Sequence, residues 1–323
     1  MKARKIPAVL LCIILLGLMT ACNRITIKNV TTYNIGICQL VEHQALDEAT
    51  QGFKDALVEK LGDRVYFDEE FAGGDAAACT TIVNTLVSKN VDLILANATS
   101  PLMAAAAATE SIPILGTSIT DYSIALGIEN WTGSTGQNIS GTSDLVPAGA
   151  QARLVEELFP TAETIGILYC ENEANSRYQV ELMVEELEKL GFKTQCFPFE
   201  GTGDLFDAAG NAAEASDVIY IPTDNTAASA TEIIDAVCRP AGVPIIAGEE
   251  GLCSGCGVAT LSISYYELGY KTGEMAYEIL VNGADISTME IAYTDESTLT
   301  KKYNTEIAES LGIDIPDDYE PID

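Results

Sequence analysis

The chain has 323 residues, of which 47% are hydrophobic, and its 48 acidic and 17 basic residues give a formal net charge of −31. Such an acidic excess argues against binding to nucleic acid or to an anionic lipid surface through bulk charge. The length suffices for two lobes that each have their own hydrophobic core.

Residues 1–22 have the pattern of a lipoprotein signal peptide. Arg4 and Lys5 precede an apolar run over residues 8–19, and the sequence MTAC ends at Cys22. A basic start, a short apolar segment and small residues before a cysteine are typical of exported lipoproteins. The run is shorter than the ~20 residues of a spanning helix, although an ordinary signal peptide or an uncleaved anchor is the alternative. We predict a lipid on Cys22 and an extracytoplasmic domain anchored to the cell membrane.

Cysteine usage leaves several possibilities open. The residues that follow the lipidation site are Cys38, Cys79, Cys170, Cys196, Cys238, Cys253 and Cys256. Because their number is odd, they cannot all pair within one chain. Cys253 and Cys256 are the one close pair, and a local disulfide is an alternative there. A zinc site would need further ligands, and the single histidine is distant in sequence, so inert buried thiols are the default.

The first half of the chain alternates short β-branched runs with amphipathic stretches. Strands are predicted over residues 34–39, 65–71, 91–96 and 112–117, and helices over residues 45–61, 79–88 and 102–109. Apolar strands without a polar alternation, separated by helices, are typical of a parallel sheet covered on both faces.

The same rhythm then begins again. Helices are predicted over residues 148–159, 176–190, 205–215 and 228–238, and strands over residues 164–169, 193–197, 218–222 and 243–247. A strand over 258–264, a helix over 266–282, a strand over 291–294 and a helix over 301–311 follow. The Gly-, Ser- and Thr-rich segment 131–144 is predicted to connect the two halves as a hinge.

The fold class predicted from this pattern is α/β, with two doubly wound parallel-sheet lobes joined by a three-crossover hinge. The late elements do not complete a third domain, so they are better explained by a chain that returns to the first lobe and crosses back. We therefore predict an N-terminal lobe of residues 34–143 plus 260–290. The C-terminal lobe comprises residues 144–259 plus 291–323.

An ordered set of short motifs resembles one family. The motifs are IGICQLVEH (35–43), ALD (45–47), GF (52–53), ANAT (96–99), IPI (112–114), TD (120–121), EANS (173–176), YIPTDN (220–225) and YYELG (265–269). Together they resemble the ABC-transporter substrate-binding family whose best-known members capture tryptophan and tyrosine, often called TrpX-type. The resemblance implies a type I periplasmic-binding-protein fold, capture of a small ligand outside the cytoplasm, and a membrane permease with its ATPase as partners.

Polar loops that follow predicted strands are the candidate ligand site, because ligands of open α/β sheets bind outside the carboxyl ends of the strands. The candidate residues are Glu42, His43, Leu46, Thr99, Ser100, Ser118, Thr120, Asp121, Glu173, Asn175, Ser176, Thr223, Asp224, Asn225 and Glu249. Hydroxyls and free N–H groups at Thr99, Ser100, Ser118 and Thr120 suit the carboxylate of an amino acid. Asp224, Asn225, Glu249 and Glu173 suit its ammonium group.

Several of these residues have a structural alternative. For Asp121 and Asp224 the structural alternative is helix capping, which for Asp121 is as well supported as ligand contact, whereas ligand contact is favoured for Asp224. Asn175 and Ser176 open a helix and have the same alternative. His43 is suited either to contact the ligand or to brace its loop.

Three departures from the family pattern lie near these loops. YCENE at residues 169–173 replaces the usual YNPGE, Tyr122 replaces a proline after the TD motif, and Ser100 stands where proline is common. The added acid and tyrosine also suit a more polar ligand. An aromatic amino acid is therefore the expectation that the resemblance implies, and another amino acid or a nucleoside is the alternative.

The sequence predicts a non-catalytic, monomeric protein that needs no cofactor or metal. It lacks the motifs GxSxG, Walker A and GxGxxG, and one histidine leaves little for hydrolytic or metal chemistry. A lipoprotein that senses a ligand and signals to a membrane sensor uses the same two-lobed clamp and is the alternative to transport.

Overall fold

The structure is a computed structural model that describes residues 31–322. In chain order its elements are β1 Tyr33–Gln39, α1 Gln44–Leu61, β2 Val65–Phe71, α2 Ala76–Ser88, β3 Leu93–Asn97, α3 Thr99–Ala108, β4 Ile114–Ile119, α4 Tyr122–Leu126, β5 Ile139–Ser143, α5 Ala148–Leu158, β6 Thr164–Cys170, α6 Ala174–Lys189, β7 Lys193–Phe199, α7 Leu205–Ala215, β8 Val218–Ile221, α8 Asn225–Ala228, α9 Thr231–Ala241, β9 Ile245–Ala247, α10 Glu250–Cys256, β10 Ala259–Ser262, α11 Tyr265–Leu280, β11 Ala292–Tyr293, β12 Thr300–Asn304, α12 Thr305–Leu311 and β13 Glu320–Ile322. The predicted signal peptide and Cys22 lie outside the described residues.

The described strands form two sheets, which confirms the predicted fold class. The first has the order β11-β5-β4-β3-β1-β2, and each of its strand pairs is parallel. The second has the order β13-β12-β10-β9-β8-β6-β7, in which only β10 and β12 pair in antiparallel fashion. The central strands β3 and β9 are buried along their whole length because helices cover both faces.

The chain crosses between the sheets three times. The crossings follow β5, β10 and β11, so α11 and β11 return to the first sheet before β12 rejoins the second. Within residues 31–322, no helix is both long and apolar enough to span a membrane.

Sheet membership differs from the predicted lobe boundaries at two short segments. Strand β10 pairs with β9 in the second sheet, whereas residues 260–262 were expected in the N-terminal lobe. Strand β11 pairs with β5 in the first sheet, although residues 291–294 were expected in the C-terminal lobe. Both strands lie next to a crossing between the sheets, and sheet membership there depends on strand pairing that the sequence does not show. The division into lobes as a whole remains a prediction.

Four other local predictions were incomplete or wrong. Residues 301–311 are not one helix, because β12 pairs with β10 and Asn304 then caps α12 by accepting from Ile307 N at 3.1 Å. The predicted hinge 131–144 contains the buried strand β5, whose small residues resemble a loop in sequence. The predicted helix 228–238 is divided into α8 and α9, and helices α4 and α10 were not predicted.

Helices α1 and α11 pack closely at two glycines. A Cβ atom on Gly269 would lie 1.8 Å from Ala49 O, and one on Gly52 would lie 2.0 Å from Tyr266 O. No side chain fits at either position, so the backbones of the two helices are in direct contact. The glycines of the GF and YYELG motifs, Gly52 and Gly269, therefore allow this close helix packing.

Candidate functional site

A narrow, largely enclosed cavity lies where the carboxyl ends of the two sheets face each other. Its lining consists of His43, Ala45, Leu46, Ser118, Thr120, Asp144, Asn175, Thr223, Asp224, Asn225, Ala228, Glu249 and Tyr265. A larger, open depression between β7 and α7 lies on the outer edge of the second sheet. The enclosed cavity has strand-end loops from both sheets, as ligand sites of open α/β sheets require, and its lining holds most of the sequence candidates.

Three polar atoms of this lining are buried without a hydrogen-bond partner. They are His43 Nδ1, Ser118 Oγ and Asp144 Oδ1, out of seven such side-chain atoms among residues 31–322. An unpaired buried polar atom costs about 1 to 3 kcal/mol. Since three of the seven converge on one small cavity, a polar ligand that pairs with them would recover part of this cost.

The backbone is strained beside the cavity. Ser118 has a φ of +56° at the end of β4, and Ala98 has a φ of +92° directly after β3. Non-glycine residues rarely adopt such values, and positions of this kind are concentrated at ligand sites. The strained turn at Ser118 places its side chain in the cavity lining.

Asp224 lies in the cavity lining and also caps a helix. Its Oδ1 accepts from Ala227 N at 2.8 Å, and its Oδ2 accepts from Cys170 N at 2.6 Å. Burial and the neighbouring Glu173 raise the pKa of Asp224 to about 7, against the lowering effect of these hydrogen bonds and of Ser176. Asp224 therefore caps α8, which was the structural alternative to ligand contact.

Glu249 likewise lines the cavity and caps a helix. Its two carboxylate oxygens accept from Gly251 N and Leu252 N, each at 2.5 Å, at the start of α10. Burial raises its pKa to about 7, because the two backbone hydrogen bonds only partly compensate for the loss of water.

Glu173 organises the loop beside the cavity without lining it. Its carboxylate accepts from Asn175 Nδ2 at 3.0 Å, from Asn225 Nδ2 at 2.7 Å and from Thr226 Oγ1 at 2.7 Å. It also accepts from the backbone N–H groups of Asn225 and Thr226. The acid of the YCENE sequence thus positions the cavity side chains Asn175 and Asn225.

Asp144 and Tyr265 line the cavity but were not among the sequence candidates. The Tyr265 hydroxyl donates to Asp144 Oδ2 at 3.0 Å. Burial raises the pKa of Asp144 to about 6, although Tyr265 and the nearby Thr120 hydroxyl oppose the shift. The Thr120 hydroxyl does not reach hydrogen-bond geometry with Oδ1, which remains unpaired. Recognition of β5 as a strand would have identified Asp144, because it is the first residue after the strand end.

Side chains from the two lobes meet at the cavity. His43 Nε2 lies 3.2 Å from Asn225 Oδ1, and Gln179 Nε2 donates to Thr120 Oγ1 at 3.3 Å. Burial lowers the pKa of His43, so a neutral ring that donates from Nε2 fits this geometry. Its other nitrogen, Nδ1, then faces the cavity as an acceptor.

The remaining candidates lie outside the lining. These are Glu42, Thr99, Ser100, Asp121, Glu173 and Ser176. Glu42 is exposed, whereas Ser176 is fully buried beneath Asp224. Asp121 caps α4 by accepting from Ile124 N at 2.9 Å, so the structure shows helix capping, the alternative to ligand contact, for this residue.

The lining contains three carboxyl groups and no lysine or arginine. A buried carboxylate is stable only when it is paired or protonated. The site can therefore accept a ligand that carries a positive charge and hydrogen-bonding groups, while Ala45, Leu46 and Ala228 provide an apolar contact.

Two sheets with a cavity between their strand ends define a two-lobed binding protein. The family described as ABC transporter substrate binding protein matches residues 34–320. The chain belongs to this family of solute-binding proteins, which are not enzymes and which act outside the cytoplasm.

Individual relatives support the same assignment. A tyrosine-binding protein from Clostridioides difficile is 36% identical over 269 residues, which cover 82% of this chain and 77% of that protein. A crystal structure of an ABC domain in complex with L-Trp from Streptococcus pneumoniae is 31% identical, with a TM-score of 0.84 over 89% of this chain and 97% of that one.

Two further solved structures are similar to this chain. The ligand-free, open form of a substrate-binding protein with adhesive properties from Clostridium difficile is 34% identical, with a TM-score of 0.69 over 90% of this chain and 99% of that one. A leucine-binding protein from Thermotoga maritima, 14% identical with a TM-score of 0.61 over 87% of each chain, shows the shared type I fold.

Proposed function

We propose that this protein is the lipid-anchored binding component of an ABC importer and that it captures an aromatic amino acid between its two lobes. The observation that carries the proposal is the enclosed cavity between the two sheets, in which three buried polar atoms have no hydrogen-bond partner. The protein acts as a monomer and delivers its ligand to a permease that is driven by an ATPase. Cys22 carries the lipid.

The relatives support the ligand class. Tyrosine and L-Trp are the molecules named for two proteins that share more than 30% of their residues with this chain. The cavity lining combines hydrogen-bonding groups with the apolar side chains of Leu46, Ala45 and Ala228, which suits an amino acid.

The conformation supports capture by closure. The structure is more similar to the L-Trp complex than to the ligand-free open form, with TM-scores of 0.84 and 0.69, although the open protein has the higher sequence identity. The contacts of His43 with Asn225 and of Gln179 with Thr120 bridge the lobes in this closed state. Closure of this kind removes the ligand from water and creates a joint surface for the permease.

A thermal-shift screen of residues 23–323 tests the ligand class. The panel contains the common amino acids, purine nucleosides and sugars. We expect the melting temperature to rise with tryptophan, tyrosine or phenylalanine, because ligand at 100 times its Kd stabilises the native state by about 2.7 kcal/mol. A rise only with another compound class would overturn the aromatic assignment, and no rise with any compound would count against transport of these ligands.

Two cellular experiments test anchoring and delivery. Metabolic labelling with a palmitate analogue should mark the wild-type protein but not the Cys22→Ser variant, in which the acceptor thiol is absent. Uptake of the radiolabelled ligand should fall on deletion of the gene and return when the gene is supplied again. Unchanged uptake after deletion would favour a sensing role.

A further inference from the structure

The four acidic side chains around the cavity differ in what their oxygens already bind. Both oxygens of Asp224 and both oxygens of Glu249 accept hydrogen bonds from backbone N–H groups. Glu173 accepts five hydrogen bonds and does not line the cavity. Each oxygen of these three carboxyls therefore already has at least one partner that holds a loop or a helix start.

Asp144 is the exception. Its side chain is 5% exposed and lines the cavity, and its Oδ1 accepts no hydrogen bond. The other oxygen is held by Tyr265, which fixes the direction of the carboxylate. A buried carboxylate with one oriented and unpaired oxygen can accept a donor from the ligand, and a positively charged donor compensates best for the lost hydration.

The position of Asp144 relative to the strained turn fits an α-amino acid. Asp144 N donates to Ile119 O at 3.2 Å, so its backbone is bound to the residue that follows Ser118. In an amino acid the ammonium and carboxylate groups are attached to one carbon atom, and their protein partners must be close neighbours. Ser118, Thr120 and Asp144 all line the cavity, so two hydroxyls and one carboxylate are available there for these two groups.

We propose that Asp144 is the residue that binds the ammonium group of the ligand, while Asp224 and Glu249 hold the loops that shape the cavity. This assignment rests on the proposed function, since it assumes that the ligand is an amino acid. It replaces Asp224, Asn225, Glu249 and Glu173, which the sequence suggested for this role. It also makes Asp144 a specificity determinant, because a ligand without an amine would leave Oδ1 unpaired.

The test compares L-tryptophan with indole-3-propionate, which has the same ring and carboxylate but no amine. Isothermal titration with residues 23–323 should show that the wild type prefers L-tryptophan by about 30-fold or more, the range for a buried charge pair. In Asp144→Asn this preference should fall to less than about 5-fold. In Asp224→Asn the affinities for both compounds should change by similar factors, so the preference should persist. The surface variant Asp75→Asn is the control for the protein preparation.

A crystal structure of the wild type with L-tryptophan provides a readout without a variant. We expect the ligand nitrogen within about 3.2 Å of Asp144 Oδ1. A nitrogen bound instead by Asp224 or Glu249, or a preference that is unchanged in Asp144→Asn, would overturn the assignment and leave the proposed function intact.

The proposed ligand class can fail separately. If the wild type binds a non-aromatic amino acid, the aromatic assignment is wrong, and the same comparison with the deaminated form of that amino acid decides the role of Asp144. If the wild type binds no amino acid, both proposals are overturned.

Discussion

The hydroxyl of Tyr265 donates a hydrogen bond of 3.0 Å to Asp144, a residue 121 positions earlier in the chain. Asp144 follows β5 at the first crossing between the sheets, and Tyr265 begins α11 after the second. The bond therefore joins two of the three connecting segments at the floor of the cavity. Both residues line the cavity, so the same hydrogen bond links the candidate site to two of these segments.

Replacement of Asp224 by alanine should reduce stability more than the loss of an ordinary helix cap. The variant leaves the buried N–H groups of Ala227 and Cys170 without their acceptor. We expect the free energy of unfolding in urea to fall by about 3 kcal/mol. Asp75→Ala removes an exposed cap on Ala77 N and should cost about 1 kcal/mol. Equal losses in the two variants would contradict the structural role of Asp224.

The ligand-free protein should become less stable as the pH rises from 5 to 8. Burial raises the pKa of Glu249 to about 7, above its ordinary value of 4.5 in the unfolded chain. In this window the folded state therefore binds more protons than the unfolded state, and its advantage disappears as the pH passes the folded pKa. Asp224 and Asp144, with pKa values of about 7 and about 6, act in the same direction.

The variant Glu249→Gln separates the contribution of Glu249 to this pH dependence from the contribution of the other acidic residues. Its loss of stability between pH 5 and pH 8, measured by urea unfolding, should be smaller than that of the wild type by about 2 kcal/mol. Glu185→Gln is the matched control, because Lys189 lowers the pKa of that exposed carboxyl and places its titration below the window. A wild-type slope in Glu249→Gln would show that this carboxyl is already ionised at pH 5.

Two glycine substitutions should have opposite effects on stability. Gly269→Ala would place its methyl group 1.8 Å from Ala49 O, so α1 and α11 would have to separate. We expect a loss of about 3 kcal/mol in the free energy of unfolding. Gly210 lies inside α7 with nothing near its Cβ position, and Gly210→Ala should stabilise by up to about 1 kcal/mol. Similar thermal midpoints for the two variants would contradict the close helix contact.

The thiols should react with Ellman's reagent in two groups. Cys196 is exposed, whereas the other six described cysteines are buried, and all seven are free. Native protein of residues 23–323 should show one accessible thiol, which reacts slowly because partial burial raises its pKa. Unfolding without reductant should release all seven. A total of five would demonstrate a disulfide, for which Cys253 and Cys256 would be the first candidates.

Most strands and long helices were predictable because their signals are local. Strand β2 and helix α7 have the predicted bounds, since each combines a clear hydrophobic period with turn residues at both ends. Strand β5 was missed because Ile139-Ser-Gly-Thr-Ser143 is small and polar, and its neighbours β4 and β11 bury it. Strand β12 was missed because its partner β10 lies about 40 residues earlier in the chain.

The loops of the candidate site were predictable, but the roles of their side chains were not. His43, Ser118, Thr223 and Asn225 line the cavity as the rule on strand ends predicts. Asp121, Asp224 and Glu249 look alike in sequence, since each is an acid in a loop that follows a predicted strand. Only the number of hydrogen bonds that each carboxylate already accepts distinguishes them, and that number depends on residues distant in the chain.

The sequence alone indicated a two-lobed α/β protein, because hydrophobic periodicity is a local property of the residue order. Its short motifs, which are also local, indicated a binding protein of the ABC family by resemblance. The tertiary structure decided which carboxyl keeps an oxygen unpaired and which glycines allow two helices to touch. It also decided where the chain returns to its first sheet. These features depend on contacts between segments more than 100 residues apart, such as Asp144 with Tyr265, and burial at those contacts sets the energy of each charge.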